Sequence, residues 1–184
     1  MDAYEIAKLL EEPIVDGMGA KKKIMHDAPI EEIIAALRQA TQPLAKQILC
    51  EVLGKRHVIQ ALPELMNALK DSSPGVRSEA ADALAAIGDP QAGPVLLESY
   101  RNEEDRDVRV MLAVALGAVH YAPAIPDLIQ ALDDPYDTLQ IEAAWSLGEL
   151  KAISGKEGMQ RVLLGQTSDY YKQFVQDAIN KLGA

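Results

Sequence analysis

From residue 29 onward the apolar positions recur with the period of an α-helix, and the pattern is broken only by short polar turns. The segment VRSEAADALAAIG sets Val76, Ala80, Ala81, Leu84 and Ile87 at i, i+4, i+5, i+8 and i+11, a single stripe along one helix face. Leu65 with Leu69 and Leu128 with Leu132 make shorter i, i+4 stripes in segments that open near a proline, whose fixed φ and missing N–H cost least in a first helical turn. The breaks, at Lys70 to Gly75, RNEEDRD and LDDPYD, are rich in Asp, Ser, Asn, Pro and Gly, residues that end one helix and cap the next. The pattern therefore predicts pairs of helices joined by tight turns.

The pairs repeat. VLGKRHVIQALPEL (residues 52–65) aligns without a gap on ALGAVHYAPAIPDL (residues 115–128), so that Leu, Gly, His, Pro and Leu recur 63 residues apart. ALAAIGDPQAGPVL (residues 83–96) is the copy between them, and Pro63, Pro94 and Pro126 are spaced by 31 and 32. The register gives a small-residue column of Gly54, Ala85, Gly117, Gly148 and Asn180, preceded by Leu53, Leu84, Leu116, Leu147 and Ile179. Five copies fit, over residues 29–60, 61–91, 92–123, 124–154 and 155–184. A period of this length marks a repeat architecture. One copy cannot bury its stripe alone, whereas stacked copies share a continuous core, so an all-α solenoid of about five helix pairs is expected. Residues 1–28 lie outside the register: a helix over Tyr4 to Leu10 is expected to cap the open end, followed by a connector rich in Gly, Pro and Lys.

Composition narrows the chemistry. Only eight of the 184 residues are aromatic, so the core must be built from Ala, Leu, Ile and Val. The net charge of −10 gives a surface that repels phosphate backbones and speaks against general nucleic-acid binding. The single cysteine, Cys50, sits in the apolar run Ile48-Leu49-Cys50, which suggests packing rather than a reactive thiol and suits a reducing compartment. The N-terminus lacks the basic and apolar regions of a secretory signal, and no stretch approaches the roughly 18 apolar residues of a membrane span. A cytoplasmic protein without membrane attachment is the expectation.

The run from Asp71 to Leu96, which from residue 73 reads SPGVRSEAADALAAIGDPQAGPVL, resembles the short HEAT-like repeat of the phycobilisome-lyase type, with its Asp, Val-Arg, Ala-Ala, apolar pair and Gly-Asp. DRDVRVMLAVALG keeps Val108 and Arg109, while DPYDTLQIEAAWSLG has Leu139 and Gln140 in their place. At repeat level the resemblance covers residues 29–184 and is specific for fold, not function, because the family holds scaffolds, chaperone-like subunits, chromophore lyases and a few enzymes. It implies that the Arg after Val binds the turn acid and nearby backbone. The column Lys46, Arg77, Arg109, Gln140, Lys172 lies six residues after Ala40, Asp71, Glu103, Asp134, Gln166, so Asp71, Arg77, Glu103, Arg109 and Asp134 form a candidate structural ladder; the other reading is a basic stripe for an acidic partner.

Three histidines are present. His57 and His120 share a column two repeats apart, too distant for one metal, and suit a turn or helix C-cap. The resemblance implies that HEAT-like hydroxylases ligate iron through His-Glu pairs, and no His-Glu dipeptide occurs here, so neither a metal nor a cofactor is expected. GMGAKKK (residues 17–23) lacks the spacing of a phosphate-binding loop and reads as a flexible basic connector, with Lys21, Lys22 and Lys23 available to the protein's own acids or to an acidic partner. The comparable helices carry acids where HEAT-like DNA glycosylases use a basic face, which argues against that enzyme.

The second helices carry the candidate site. Seven, six and three residues before the small-residue column stand Gln47, Ser78, Val110, Ile141, Gln173, then Ile48, Glu79, Met111, Glu142, Phe174, then Glu51, Asp82, Val114, Trp145, Asp177. Val110, Met111, Val114, Ile141 and Trp145 form an apolar patch rimmed by Glu142, Asp82 and Asp177, on helices that by analogy line a concave surface. Either it binds a protein partner that offers an apolar projection with basic flanks, or its side chains pack between the third and fourth repeats. The leading expectation is a noncatalytic interaction module. The alternative, which the resemblance permits, is a subunit of a bilin lyase-type enzyme working with a second HEAT-like chain.

Overall fold

The computed structural model describes residues 1–11, 17–166 and 168–183, and among them it contains helices and no strand. In chain order the α-helices are α1 (Ala3–Glu11), α2 (Gly17–Asp27), α3 (Ile30–Gln39), α4 (Pro43–Lys55), α5 (Leu62–Ala68), α6 (Pro74–Ile87), α7 (Gly93–Asn102), α8 (Arg106–Ala118), α9 (Ile125–Ala131), α10 (Asp137–Glu149), α11 (Lys156–Gly165) and α12 (Asp169–Lys181). They fall into two compact units, Met1–Ile87 and Gly88–Ala184. In the first, α4 packs along α6, α3 and α5 cover one side, and α1 lies on α3; in the second, α10 is central and packs on α8, α9 and α12. The five predicted helix pairs are α3/α4, α5/α6, α7/α8, α9/α10 and α11/α12.

The predicted stripes are buried except at the last position of α6: Leu65, Leu69, Leu128 and Leu132 in the first helices and Val76, Ala80, Ala81 and Leu84 in α6 are covered, while Ile87 is partly exposed. Pro63, Pro94 and Pro126 each take the second position of α5, α7 and α9. The Asp105 carboxylate caps α8 by accepting from the amides of Asp107 and Val108 at 3.0 and 3.1 Å.

The histidines do occupy the helix-terminating turn. His57 and His120 have φ of 49° and 53°, Lys151 has 49° and Gly88 72°, at the same place in successive repeats. The His57 amide donates to Gly54 O and the Val58 amide to Leu53 O; His120 with Tyr121, and Lys151 with Ala152, repeat the pattern on α8 and α10. This is the double-bonded left-handed cap that satisfies the last carbonyls of a helix.

The small-residue column is a seam between second helices. A Cβ placed on Gly54 would lie 2.6 Å from Ala83 Cα, and one on Gly117 2.7 Å from Ser146 Cα. Beside Gly117 the buried Ser146 hydroxyl donates to Ala113 O at 2.8 Å, tying α10 to α8.

The basic connector is corrected in part. Residues 12–16 lie outside the described residues, but 17–27 form helix α2. The three lysines are good helix formers, and Ile24, fully buried, anchors the turn they precede. Lys21 reaches the protein's own acid, pairing with Glu51 on α4, and the Arg56 guanidinium donates to Ala28 O at 2.7 Å.

Candidate functional site

The ladder is present, with partners shifted from those expected. Asp71 receives Lys46 on its carboxylate at 2.5 Å and Arg77 on its backbone carbonyl at 2.9 Å. Asp134 likewise receives Arg109 on its carboxylate at 3.2 Å and Gln140 on its carbonyl at 2.6 Å. The residue six positions later, Arg77 or Gln140, thus holds backbone, while the carboxylate goes to the preceding repeat's base, 25 residues upstream. Glu103 makes the turn bond that Asp71 and Asp134 also make: its carboxylate accepts from the Asp105 amide at 3.0 Å, as theirs accept from the Ser73 and Tyr136 amides at 2.9 Å. At Asp71 burial alone would raise the carboxyl, but the Lys46 hydrogen bond, the Ser73 amide and the charges of Lys46 and Arg77 hold it below its ordinary value.

A second rung escaped the sequence reading: Arg38 bonds Glu64 at 2.7 Å, and Arg101 grips Asp127 through two bonds of 2.8 Å. The signal was available in the 63-residue offset, which carries Arg38 to Arg101 and Glu64 to Asp127. Ion pairs with one partner exposed to solvent add little to stability, so these set which repeat meets which more than they hold the fold.

The apolar patch divides in two. Val110 and Ile141 are only 8% and 4% exposed, so they belong to the packing of α8 and α10 and not to an anchor surface. The close approach at Gly117 and Ser146 draws the two helices together and closes over them. Met111 and Val114 on α8 and Trp145 on α10 remain half-buried, as does Glu142, whose carboxyl is pushed up by burial. Asp177 is exposed on α12 and accepts from the Gln173 side chain at 2.7 Å; Asp82 is exposed on α6, in the first unit. The structure adds Lys181, whose ammonium stands 5.8 Å from the centre of the Trp145 ring and pairs with Glu149. Both acid and base follow the small-residue column by one residue, at 149 and 181, which is the pattern a reader of the sequence could have used.

In the first unit the equivalent positions are polar except for the half-buried Ile48. Burial raises the half-buried Glu79 carboxyl, and the nearby Asp82 and Glu51 charges add to it. Glu51 is itself held down: burial works against ionisation, but hydrogen bonds from Lys21 and Lys55 outweigh it. Cys50 is fully buried, and burial followed by the Glu79 and Asp71 charges pushes its thiol up to about 12, which leaves it protonated and unreactive.

An iron site does not fit these residues. Ser78 and the buried Ile141 stand before Glu79 and Glu142, where a His-Glu pair would need an imidazole, and His57 and His120 are exposed in helix-ending turns. Among the described residues no three His, Cys, Asp or Glu side chains are placed to hold a metal ion, and no helix is long and apolar enough to cross a membrane.

Comparison with known proteins places this geometry. The chain is 36% identical over 140 residues to deoxyhypusine hydroxylase of Drosophila melanogaster, covering 72% of this chain and 44% of that protein. It is 31% identical over 106 residues to phycocyanobilin lyase subunit beta of Nostoc sp., covering 55% of this chain and 52% of that one. It therefore spans about half the length of these curated relatives. Among solved structures, the complex of CpcE and CpcF of phycocyanin lyase from Nostoc sp. superposes with a TM-score of 0.72 at 21% identity, over 100% of this chain and 78% of that one. The HEAT repeats pattern matches residues 30–117 and the PBS lyase HEAT-like repeat residues 108–134. Helix pairs, small-residue seam and sequence patterns agree, and the chain belongs to the HEAT-like repeat family of the PBS lyase type.

Proposed function

We propose that this protein is a noncatalytic scaffold that holds a protein partner on the face formed by Met111, Val114 and Trp145, with Glu142 and Asp177 beside them. The supporting observation is the exposure that these three side chains keep on helices whose other large apolar side chains are buried. Large apolar groups left partly open, above all a tryptophan, are where binding energy concentrates. The net charge of −10 favours a partner whose apolar projection is flanked by basic residues and disfavours nucleic acid. The setting is cytoplasmic, in keeping with one buried thiol.

The test is affinity capture from the source cell's lysate with the wild type and Trp145→Glu side by side, read by mass spectrometry. Loss of a tryptophan anchor of about 2 kcal/mol or more weakens binding by roughly thirtyfold, so a protein retained by the wild type should be missing from the variant. Helical content and melting of the variant, followed by circular dichroism, should be little changed. Identical captures, or a variant that fails to fold, would sink the proposal.

The relatives favour one second reading. Likeness to a phycocyanobilin lyase subunit and to a two-chain phycocyanin lyase complex supports a subunit that acts with a second HEAT-like chain on a chromophore-carrying protein. A visible absorption shift on mixing with bilin in the presence of the captured partner would establish it.

A further inference from the structure

We propose that the indole of Trp145 and the carboxylate of Glu149 form a subsite for one basic side chain of the protein partner, and that the chain's own Lys181 fills this subsite until the partner arrives. The inference rests on the reading of α8 and α10 as a partner-binding face and supplies the chemistry at its centre. The Lys181 ammonium lies 5.8 Å from the Trp145 ring centre, within the range of a cation held over an aromatic face. The same ammonium pairs with Glu149, so one cation is shared by a ring and an acid on α10. That combination, an aromatic face and a carboxylate that meet one ammonium, recognises a cation whichever chain brings it.

The resident cation is replaceable. The Lys181 side chain is 44% exposed and comes from the last residue of α12, so its removal from the indole disturbs no core. A lysine offers one compact charge, whereas an arginine can stack its planar guanidinium on an indole and grip a carboxylate with two bonds. Glu142, one turn before Trp145 on α10, adds a second acid on the same side of the helix, and the charge of −10 draws a basic segment toward it.

Trp145 is the only tryptophan, so its emission reports on the subsite directly. The experiment titrates an alternating lysine–arginine octapeptide into the wild type, Lys181→Ala and Lys172→Ala. Lys172 removes the same charge from α12 at a position paired with Asp169, nine residues away. Freeing the indole of a surface cation and its ion pair should tighten the peptide by about fivefold in Lys181→Ala, with a change in emission, while Lys172→Ala stays within about twofold of the wild type. If Lys181→Ala binds no tighter than the wild type, or both variants tighten equally, the subsite is overturned. The binding face stands or falls separately: a partner lost on Trp145→Glu while Lys181→Ala leaves peptide affinity unchanged refutes the subsite alone, and a partner retained by Trp145→Glu refutes both.

Discussion

Gly117→Ala is the sharpest perturbation of the seam between α8 and α10. In an exposed helix interior this exchange stabilises by about 0.5–1 kcal/mol, because alanine forms helix better and the unfolded chain loses freedom. Here the new Cβ would stand 2.7 Å from the Cα, Cβ and Oγ of Ser146, where ordinary contact begins at 3.4 Å, so α10 must retreat by about 0.7 Å. The retreat stretches the Ser146 hydroxyl's bond to Ala113 O from 2.8 Å beyond hydrogen-bonding range and leaves a buried donor unmet. Overpacking costs about 1–3 kcal/mol and the orphaned hydroxyl about 1–3 kcal/mol. Together they exceed the propensity gain, and a net loss of about 1–5 kcal/mol is expected, a fall in Tm of roughly 2–20 °C for a chain of this size. Gly165→Ala is the control, since nothing lies within 4 Å of a Cβ there at the end of α11, and it should gain a few tenths of a kcal/mol. Melting followed at 222 nm and by Trp145 emission measures both. A Gly117→Ala protein as stable as the wild type would show that the seam is not a steric limit and that the reasoning fails.

The left-handed cap predicts that His120→Gly stabilises the protein by about 0.5–1 kcal/mol, read by urea titration, because φ of 53° costs glycine nothing. His57→Gly should gain less, since its ring Nδ1 bonds Ala86 O at 2.7 Å and that contact is lost; equal gains would refute the distinction. Burial raises the Glu142 carboxyl above its unfolded value, so the fold penalises the ionised form as pH rises through the ordinary carboxylate range. Glu142→Gln should therefore raise Tm at pH 7 and lose that advantage below about pH 4, where both states of the wild type are protonated.

Much of this was legible in the sequence. The 63-residue self-alignment and the proline column located the helix pairs, and the histidine column marked their ends, because backbone geometry at these places restricts the residue. The patch was only half legible. A column of Val110, Val114, Ile141 and Trp145 shows which residues share a helix side but not how close the next helix comes, and the Gly117–Ser146 approach decided that Val110 and Ile141 are covered while Trp145 is not. The ladder was legible within a repeat and not between repeats: spacing found Arg77 on the Asp71 backbone, but the carboxylate's partner, Lys46, belongs to the preceding repeat. GMGAKKK misled because its two glycines outweighed a buried Ile24 that only the packed structure reveals.

The left-handed caps have a consequence for how opening of the array can be watched. The amides of Val58, Tyr121 and Ala152 lie outside the helices, yet each is bonded to the carbonyl of a buried leucine, Leu53, Leu116 or Leu147. Each such amide exchanges with solvent only when its own helix end comes undone. Three loop amides thus serve as separate clocks, one each for α4, α8 and α10, and the order in which they take up deuterium is the order in which those repeats let go.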